Sequence, residues 1–184
     1  MRSVKDCTKI KRGRNESVEA YYMKILLCKL GKKLGFDVDV EEEQESELGK
    51  LAIRHDILWY IDYPEWFKKL LEIVSLRGDL DEEYSALLRC KLHLKRQLYA
   101  AFEIEATDAT TKAMKGDISN LSKLPYGFII VKRGKTEKER EGKEPIRNRF
   151  ERALMEFRSL HGPNNVLIVS FEDIINLCKY YGVS

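Results

Sequence analysis

The pattern of apolar and polar positions predicts alternating helices and strands along the first half of the chain. A helix is predicted over residues 17–33, where Ser17 can cap the first turn. Residues 36–40 alternate as a half-exposed strand does, and residues 53–61 are mostly apolar, as in a central strand. Two helices are predicted within residues 64–98, which we interpret as a helical insertion. The apolar stripe predicted for the first helix consists of Val18, Tyr21, Tyr22, Ile25 and Cys28.

The second half of the chain alternates more regularly between strands and helices. Elements of this kind favour parallel strands joined by crossover helices, whereas the early strands can form an antiparallel unit. The sequence therefore predicts an α/β fold with a mixed central sheet flanked by helices. The elements predicted are a strand at 99–106, a helix at 111–124, a strand at 128–132, a helix at 146–160, a strand at 166–170 and a helix at 173–181.

Length and charge suit a single domain over residues 1–184, with residues 1–14 as a basic arm. The 33 Lys and Arg residues nearly balance the 30 Asp and Glu residues, so net charge is no strong argument for a nucleic-acid partner. The four cysteines lack zinc-ligand spacing, and a chain of this size needs no disulfide framework. No apolar run is long enough for a membrane span, and the cytoplasm is the default location.

Three acids stand out because they occur in strands that are otherwise apolar. Residues two apart in a strand point to the same face, so Glu103 and Glu105 project together. Buried together, they would lose hydration and repel each other, and a cation would be needed to compensate them. Asp56 presents the same problem in the preceding strand. The alternatives are a solvent-facing strand for the two glutamates and a pair with Arg54 for Asp56.

Carboxylate ligands from neighbouring strands suit Mg²⁺ or Mn²⁺. Asp56, followed by Glu103-Ile104-Glu105 on the next strand and then by a helix and a further strand, resembles the PD-(D/E)XK nuclease superfamily, with its restriction-endonuclease-like fold. The resemblance covers about half the chain. It implies that Asp56 bridges metal ions, that Glu103 is a second ligand and that Ile104 contributes its backbone carbonyl. Glu19 resembles an acid that some members add from the first helix, although an ordinary first-turn acid is the alternative.

The resemblance is to the E-x-E variant of that superfamily, because Glu105 occupies the usual lysine position and His55 stands where the family has proline. Lys112 or Lys115 on the following helix would then supply the cation, with Lys115 the better placed, unless both belong to a solvated helix face. Glu105 and Lys115 would position or deprotonate the attacking water. Lys112, Arg147 and Arg149 are candidates for binding phosphates.

The leading hypothesis is a metal-dependent endonuclease that hydrolyses DNA phosphodiester bonds, expected by resemblance to act as a homodimer. A second is a non-catalytic relative that binds nucleic acid or protein. A nucleotide-binding domain is disfavoured because no glycine-rich loop follows a predicted strand.

Overall fold

The predicted α/β class is confirmed by the computed structural model, in which a mixed sheet carries helices on both faces. The structure describes residues 2–3, 6–14, 16–40, 55–94, 96–106, 110–132 and 144–184. In these ranges the strands are β1 (Arg2–Ser3), β2 (Asp37–Val40), β3 (Ile57–Asp62), β4 (Arg96–Glu105), β5 (Tyr126–Val131) and β6 (Val166–Ser170). The helices are α1 (Val18–Lys33), α2 (Glu65–Ser75), α3 (Glu82–Leu94), α4 (Thr111–Leu121), α5 (Ile146–His161) and α6 (Phe171–Tyr180).

The strands lie in the sheet in the order in which they occur along the chain. The two-residue β1 and the longer β2, β3 and β4 pair antiparallel, whereas β4, β5 and β6 pair parallel. This agrees with the prediction, because short connections join the early strands while α4 and α5 connect the later ones. Strand β4 is therefore the point at which the sheet changes from antiparallel to parallel.

Each face of the sheet has its own apolar core. On one face α1 and α6 cover a core that includes Met23, Leu27 and Ile130. On the other face α4 and α5 cover a core that includes Ile118 and Phe150. The sheet is thus the middle of three layers, and alternate residues of β4 point into different cores. None of the described helices has the length and apolar character needed to cross a membrane.

Several predicted boundaries need correction. Strand β3 begins at Ile57, so Asp56 lies just before it rather than inside it; Ile53 and Arg54 lie outside the described residues. Strand β4 begins at Arg96, three residues earlier than predicted, because it pairs with β3 as far as Asp62.

The start of the chain is not the free arm that its basic composition predicted. Strand β1 pairs with β2, and Asp6 caps a short 3-10 helix at Cys7–Lys9. Cys7 and Ile10 are buried against α1. The segment is held by strand pairing and apolar contacts, which net charge does not reveal.

A disulfide joins Cys7 to Cys28 on α1. The sequence gave no reason to expect it, because the argument from chain size concerns a framework of several bridges. One bridge forms here because the N-terminal segment packs across α1 and brings the two cysteines together. Cys178, on α6, is free and buried in the same core.

Candidate functional site

Asp56 and the two glutamates of β4 lie together where β3 begins and β4 ends. The register pairs Ile57 with Phe102, so Asp56 lies beside the last residues of β4. Its Oδ2 accepts a hydrogen bond of 2.8 Å from the backbone N–H of Ile104. This contact fixes the aspartate between Glu103 and Glu105 in the chain direction of β4.

Glu103 and Glu105 project to the face of the sheet opposite Ile104, as alternation predicts. Ile104 packs against the core under α1, whereas Ala101, which shares the face of the glutamates, belongs to the core under α4 and α5. The strand is therefore half-buried at the glutamates and covered on its other side.

The structure adds Asp117 of α4 to this group of acids. Burial, together with the negative charges of Asp117, Asp56 and Glu103, raises the pKa of Glu105 to about 8. Burial and the charge of Asp56 raise the pKa of Asp117 to about 6, against the opposing effect of His55. Oδ2 of Asp117 is buried, with no hydrogen-bond partner among the described residues. We call Asp56, Glu103, Glu105 and Asp117 the acidic cluster.

A buried lysine reaches the acidic cluster from α1. Lys24 Nζ lies 2.7 Å from Glu16 Oε1 and 3.5 Å from Asp56 Oδ1. Burial alone would lower the pKa of Lys24, but the charges of Asp56 and Glu16 outweigh it and raise the pKa. Burial also raises the pKa of Asp56, although Lys24 and the N–H of Ile104 oppose that rise. Lys24 is therefore charged and gives Asp56 partial compensation.

His55 provides a second positive group. Its Nδ1 lies 2.5 Å from Glu103 Oε1, and both side chains are largely buried. At this distance a protonated imidazole donates to the carboxylate, and the contact holds Glu103 in one position. The sequence analysis considered His55 only as the residue in the family's proline position.

The structure does not bring two of the predicted site residues to the acidic cluster. Lys115 lies on the exposed side of α4, where its Nζ is 3.3 Å from Glu156 Oε2. It is two positions from Asp117, which places it on nearly the opposite side of the helix. Glu19 pairs with Lys132 at 2.8 Å in an exposed contact. Glu16, not Glu19, is the acid from this part of the chain that reaches Lys24 and influences Asp56.

The predicted phosphate-binding residues lie at the beginnings of α4 and α5. Lys112 is exposed in the first turn of α4. Arg147 Nε donates to Glu151 Oε1 at 2.7 Å, one turn along α5. Arg149 is half-buried on the same helix. Much of the basic segment that precedes α5, residues 133–143, lies outside the described residues.

Three site residues, Lys24, Glu16 and Asp117, were missed in the sequence. The stripe predicted for α1 was rotated, because Val18 and Tyr22 are exposed while Lys24 is buried. A lysine and an aspartate at helical spacing among apolar residues were the available signals: Lys24 follows Ala20, and Asp117 lies between Met114 and Leu121.

The donor set fits a hard divalent cation in its chemistry. Carboxylate oxygens are the ligands that Mg²⁺ and Mn²⁺ prefer, and buried acids with an unpartnered oxygen on Asp117 lack sufficient positive charge. In the conformation described, however, no group of three or more His, Cys, Asp or Glu side chains among the described residues is arranged to hold a metal ion. The ligands are close to one another but do not form a finished coordination shell.

Comparison with known proteins adds no relative to this description: the chain matches no family model, no curated protein and no solved structure. The functional argument therefore depends on the residues of the chain itself.

Proposed function

We propose that the chain is a metal-dependent nuclease that hydrolyses DNA phosphodiester bonds, as an E-x-E variant of the PD-(D/E)XK superfamily. The observation that carries the proposal is the meeting of Asp56 with Glu103 and Glu105 at one end of β3 and β4. Acids gathered in a half-buried position, with too little positive charge to balance them, are typical of functional sites.

Asp56, Glu103 and the backbone carbonyl of Ile104 are the groups we assign to holding Mg²⁺ or Mn²⁺. When bound, the ion would lower the pKa of a water molecule and stabilise negative charge on the phosphate. His55 orients Glu103 through the contact at Nδ1. The Ile104 N–H and Lys24 orient Asp56.

Glu105 is the residue we assign to proton transfer. Its pKa of about 8 allows the carboxylate to take up a proton near neutral pH. Lys24 provides the positive charge that a lysine at position 105 would otherwise provide, because it is buried beside Asp56. Lys112, Arg147 and Arg149 remain the proposed contacts to the DNA backbone.

Cleavage of plasmid and branched DNA with Mg²⁺ or Mn²⁺ tests the proposal. Asp56→Asn and Glu103→Gln preserve side-chain size, and we expect each to reduce the cleavage rate at least about 100-fold, since each removes a charged group from the reaction site. Glu83→Gln, an exposed acid on α3, is the matched control and should cleave as the wild type does. Circular dichroism and thermal unfolding should show that all variants fold.

A second candidate is a non-catalytic member of the same fold that binds nucleic acid. It is favoured by one observation: Asp56 and Glu103 already have partners in Lys24, the Ile104 N–H and His55. Folded wild-type protein that binds DNA but cleaves none of the substrates with either ion would overturn the catalytic proposal and support this one. Cleavage that persists in both variants would overturn the assignment of the site.

A further inference from the structure

The helices α2 and α3 have a small core of their own. Tyr63, Leu71 and Leu88 are buried there, with Phe67 and Val74 packed against them. This core is separate from the two cores that lie on the faces of the sheet. The helical pair is thus an addition to the sheet that needs only one side of α2 for its own packing.

A second apolar stripe on α2 faces outward. Trp66 is 68% exposed, Leu70 45% and Ile73 57%, and Leu76, directly after the helix, is 86% exposed. Positions 66, 70 and 73 follow the spacing of one helix face, next to the face that carries Phe67, Leu71 and Val74. We call Trp66, Leu70, Ile73 and Leu76 the α2 ridge.

The α2 ridge is large for a surface that stays in water. Its four side chains together expose on the order of 500 Å², near the upper end of the range of about 300–600 Å² for the largest apolar patch of a typical monomer. Two such ridges in contact would bury about 1,000 Å², the area at which a specific protein interface becomes plausible. Tyr84 and Leu87 on α3 add further exposed apolar surface to the same helical pair.

The charges beside the ridge are complementary to a second copy of themselves. Lys69 and Glu72 flank Leu70, and they pair within the chain at 3.0 Å with both side chains exposed. If two α2 helices cross antiparallel with Leu70 near the two-fold axis, Lys69 of each copy lies next to Glu72 of the other. Trp66 of each copy then lies against Ile73 of the other.

We propose that the α2 ridge is a self-association surface on which α2 of a second copy of this chain packs antiparallel. A two-fold axis makes the same patch serve both copies, so one ridge with a matched charge pair is sufficient. This inference does not depend on the proposed nuclease function.

Sedimentation velocity of the full chain, from about 1 µM to about 100 µM, tests the proposal. We expect a concentration-dependent dimer for the wild type. Leu70→Glu places two like charges at the axis and should raise the dissociation constant at least about 100-fold. Leu160→Glu is the control, because Leu160 is 78% exposed on α5 and outside the ridge. A wild type that stays monomeric throughout, or a dimer that survives Leu70→Glu, overturns the proposal.

A charge exchange tests the antiparallel arrangement. Lys69→Glu and Glu72→Lys should each weaken the dimer several-fold, because each places like charges opposite one another across the axis. The double variant Lys69→Glu/Glu72→Lys should recover wild-type affinity. If the two single effects simply add in the double variant, the arrangement proposed for the ridge is wrong.

Discussion

Two groups of acids lie on the same sheet, and they are compensated in different ways. Asp37 and Asp39 of β2 face Arg96 of β4, whose guanidinium donates to both carboxylates and lies 4.0 Å from the ring centre of Tyr60. Arg96 donates to both oxygens of Asp39, at 3.2 and 2.8 Å. The two carboxylates raise the pKa of Arg96 even though burial opposes the rise.

The acidic cluster, by contrast, has Lys24 at one acid and His55 at another, and it leaves Glu105 and Asp117 with raised pKa values. The difference teaches where to look for function. A planar, multivalent donor such as arginine can satisfy neighbouring carboxylates completely, and the result is structural. Acids that the protein leaves undercompensated are explained better by a ligand or a proton.

The largest expected effect is on the compensated group. Arg96→Met would leave Asp39 buried without its cation, and we expect the free energy of unfolding to fall by about 3–5 kcal/mol. Urea denaturation at neutral pH measures this loss. Arg77→Met, which breaks an exposed pair with Asp79, is the control and should change stability little. A loss no greater than that of the control would mean that Arg96 is not a structural clamp.

The acidic cluster should respond with the opposite sign. The pKa of Glu105 is raised in the folded state, so the native protein binds more protons than the unfolded chain between about pH 4.5 and pH 8. Stability is therefore lost as the pH rises through that window. Glu105→Gln removes the charge, and we expect it to stabilise the metal-free protein by roughly 2 kcal/mol at pH above 8.

Below the window the same variant should be close to neutral. Unfolding of the wild type and of Glu105→Gln across the pH range, with a chelator present, measures the difference. Glu83→Gln serves again as the control and should show no such pH dependence. A Glu105→Gln protein less stable than the wild type at high pH would indicate that the carboxylate is already compensated.

Divalent ions give a smaller effect that links the cluster to its proposed ligand. Mg²⁺ at about ten times its dissociation constant would stabilise the folded chain by about 1.4 kcal/mol. For a chain of this size that raises Tm by about 3–6 °C. We expect the shift above pH 8, and we expect Asp56→Asn and Glu103→Gln to abolish it. An equal shift in both variants would place the ion elsewhere on the protein.

The smallest effect concerns an exposed pair near the start of α1. Lys132→Met breaks the contact with Glu19, and we expect a loss of no more than about 0.5 kcal/mol, because water screens both charges. Chemical denaturation at low and at high salt measures it. A large loss that salt does not reduce would mean that this pair is part of the core structure rather than a surface contact.

The fold could be predicted from the sequence further than the site could. Periodicity located α1, α5 and β6 to within a residue or two, because amphipathic helices and apolar strands leave local signals. The change from antiparallel to parallel pairing at β4 also followed from element order. The disulfide between Cys7 and Cys28 did not, because it depends on how the first residues cross α1.

For the site, the sequence indicated the acids on strands but not the side chains that come from helices. Asp56, Glu103 and Glu105 were visible because charge is unexpected in an apolar strand. Lys24 and Asp117 were hidden because charge is ordinary in a helix, and their burial depends on which helix face meets the sheet. Lys115 was chosen for its position along α4, whereas its direction around the helix axis turns it toward α5.

The bond between Cys7 and Cys28 also has a consequence for Lys24 and Glu16. Both residues lie in the stretch of chain that the bond closes into a covalent ring, so oxidation limits how far the lysine and its acid can separate even when the chain unfolds. Closing a ring of about 20 residues restricts the unfolded ensemble by about 3 kcal/mol in the chain-entropy description. The electrostatic environment of Asp56 is thereby coupled to thiol chemistry some distance along the chain. A reductant would act on it without touching any acid of the cluster.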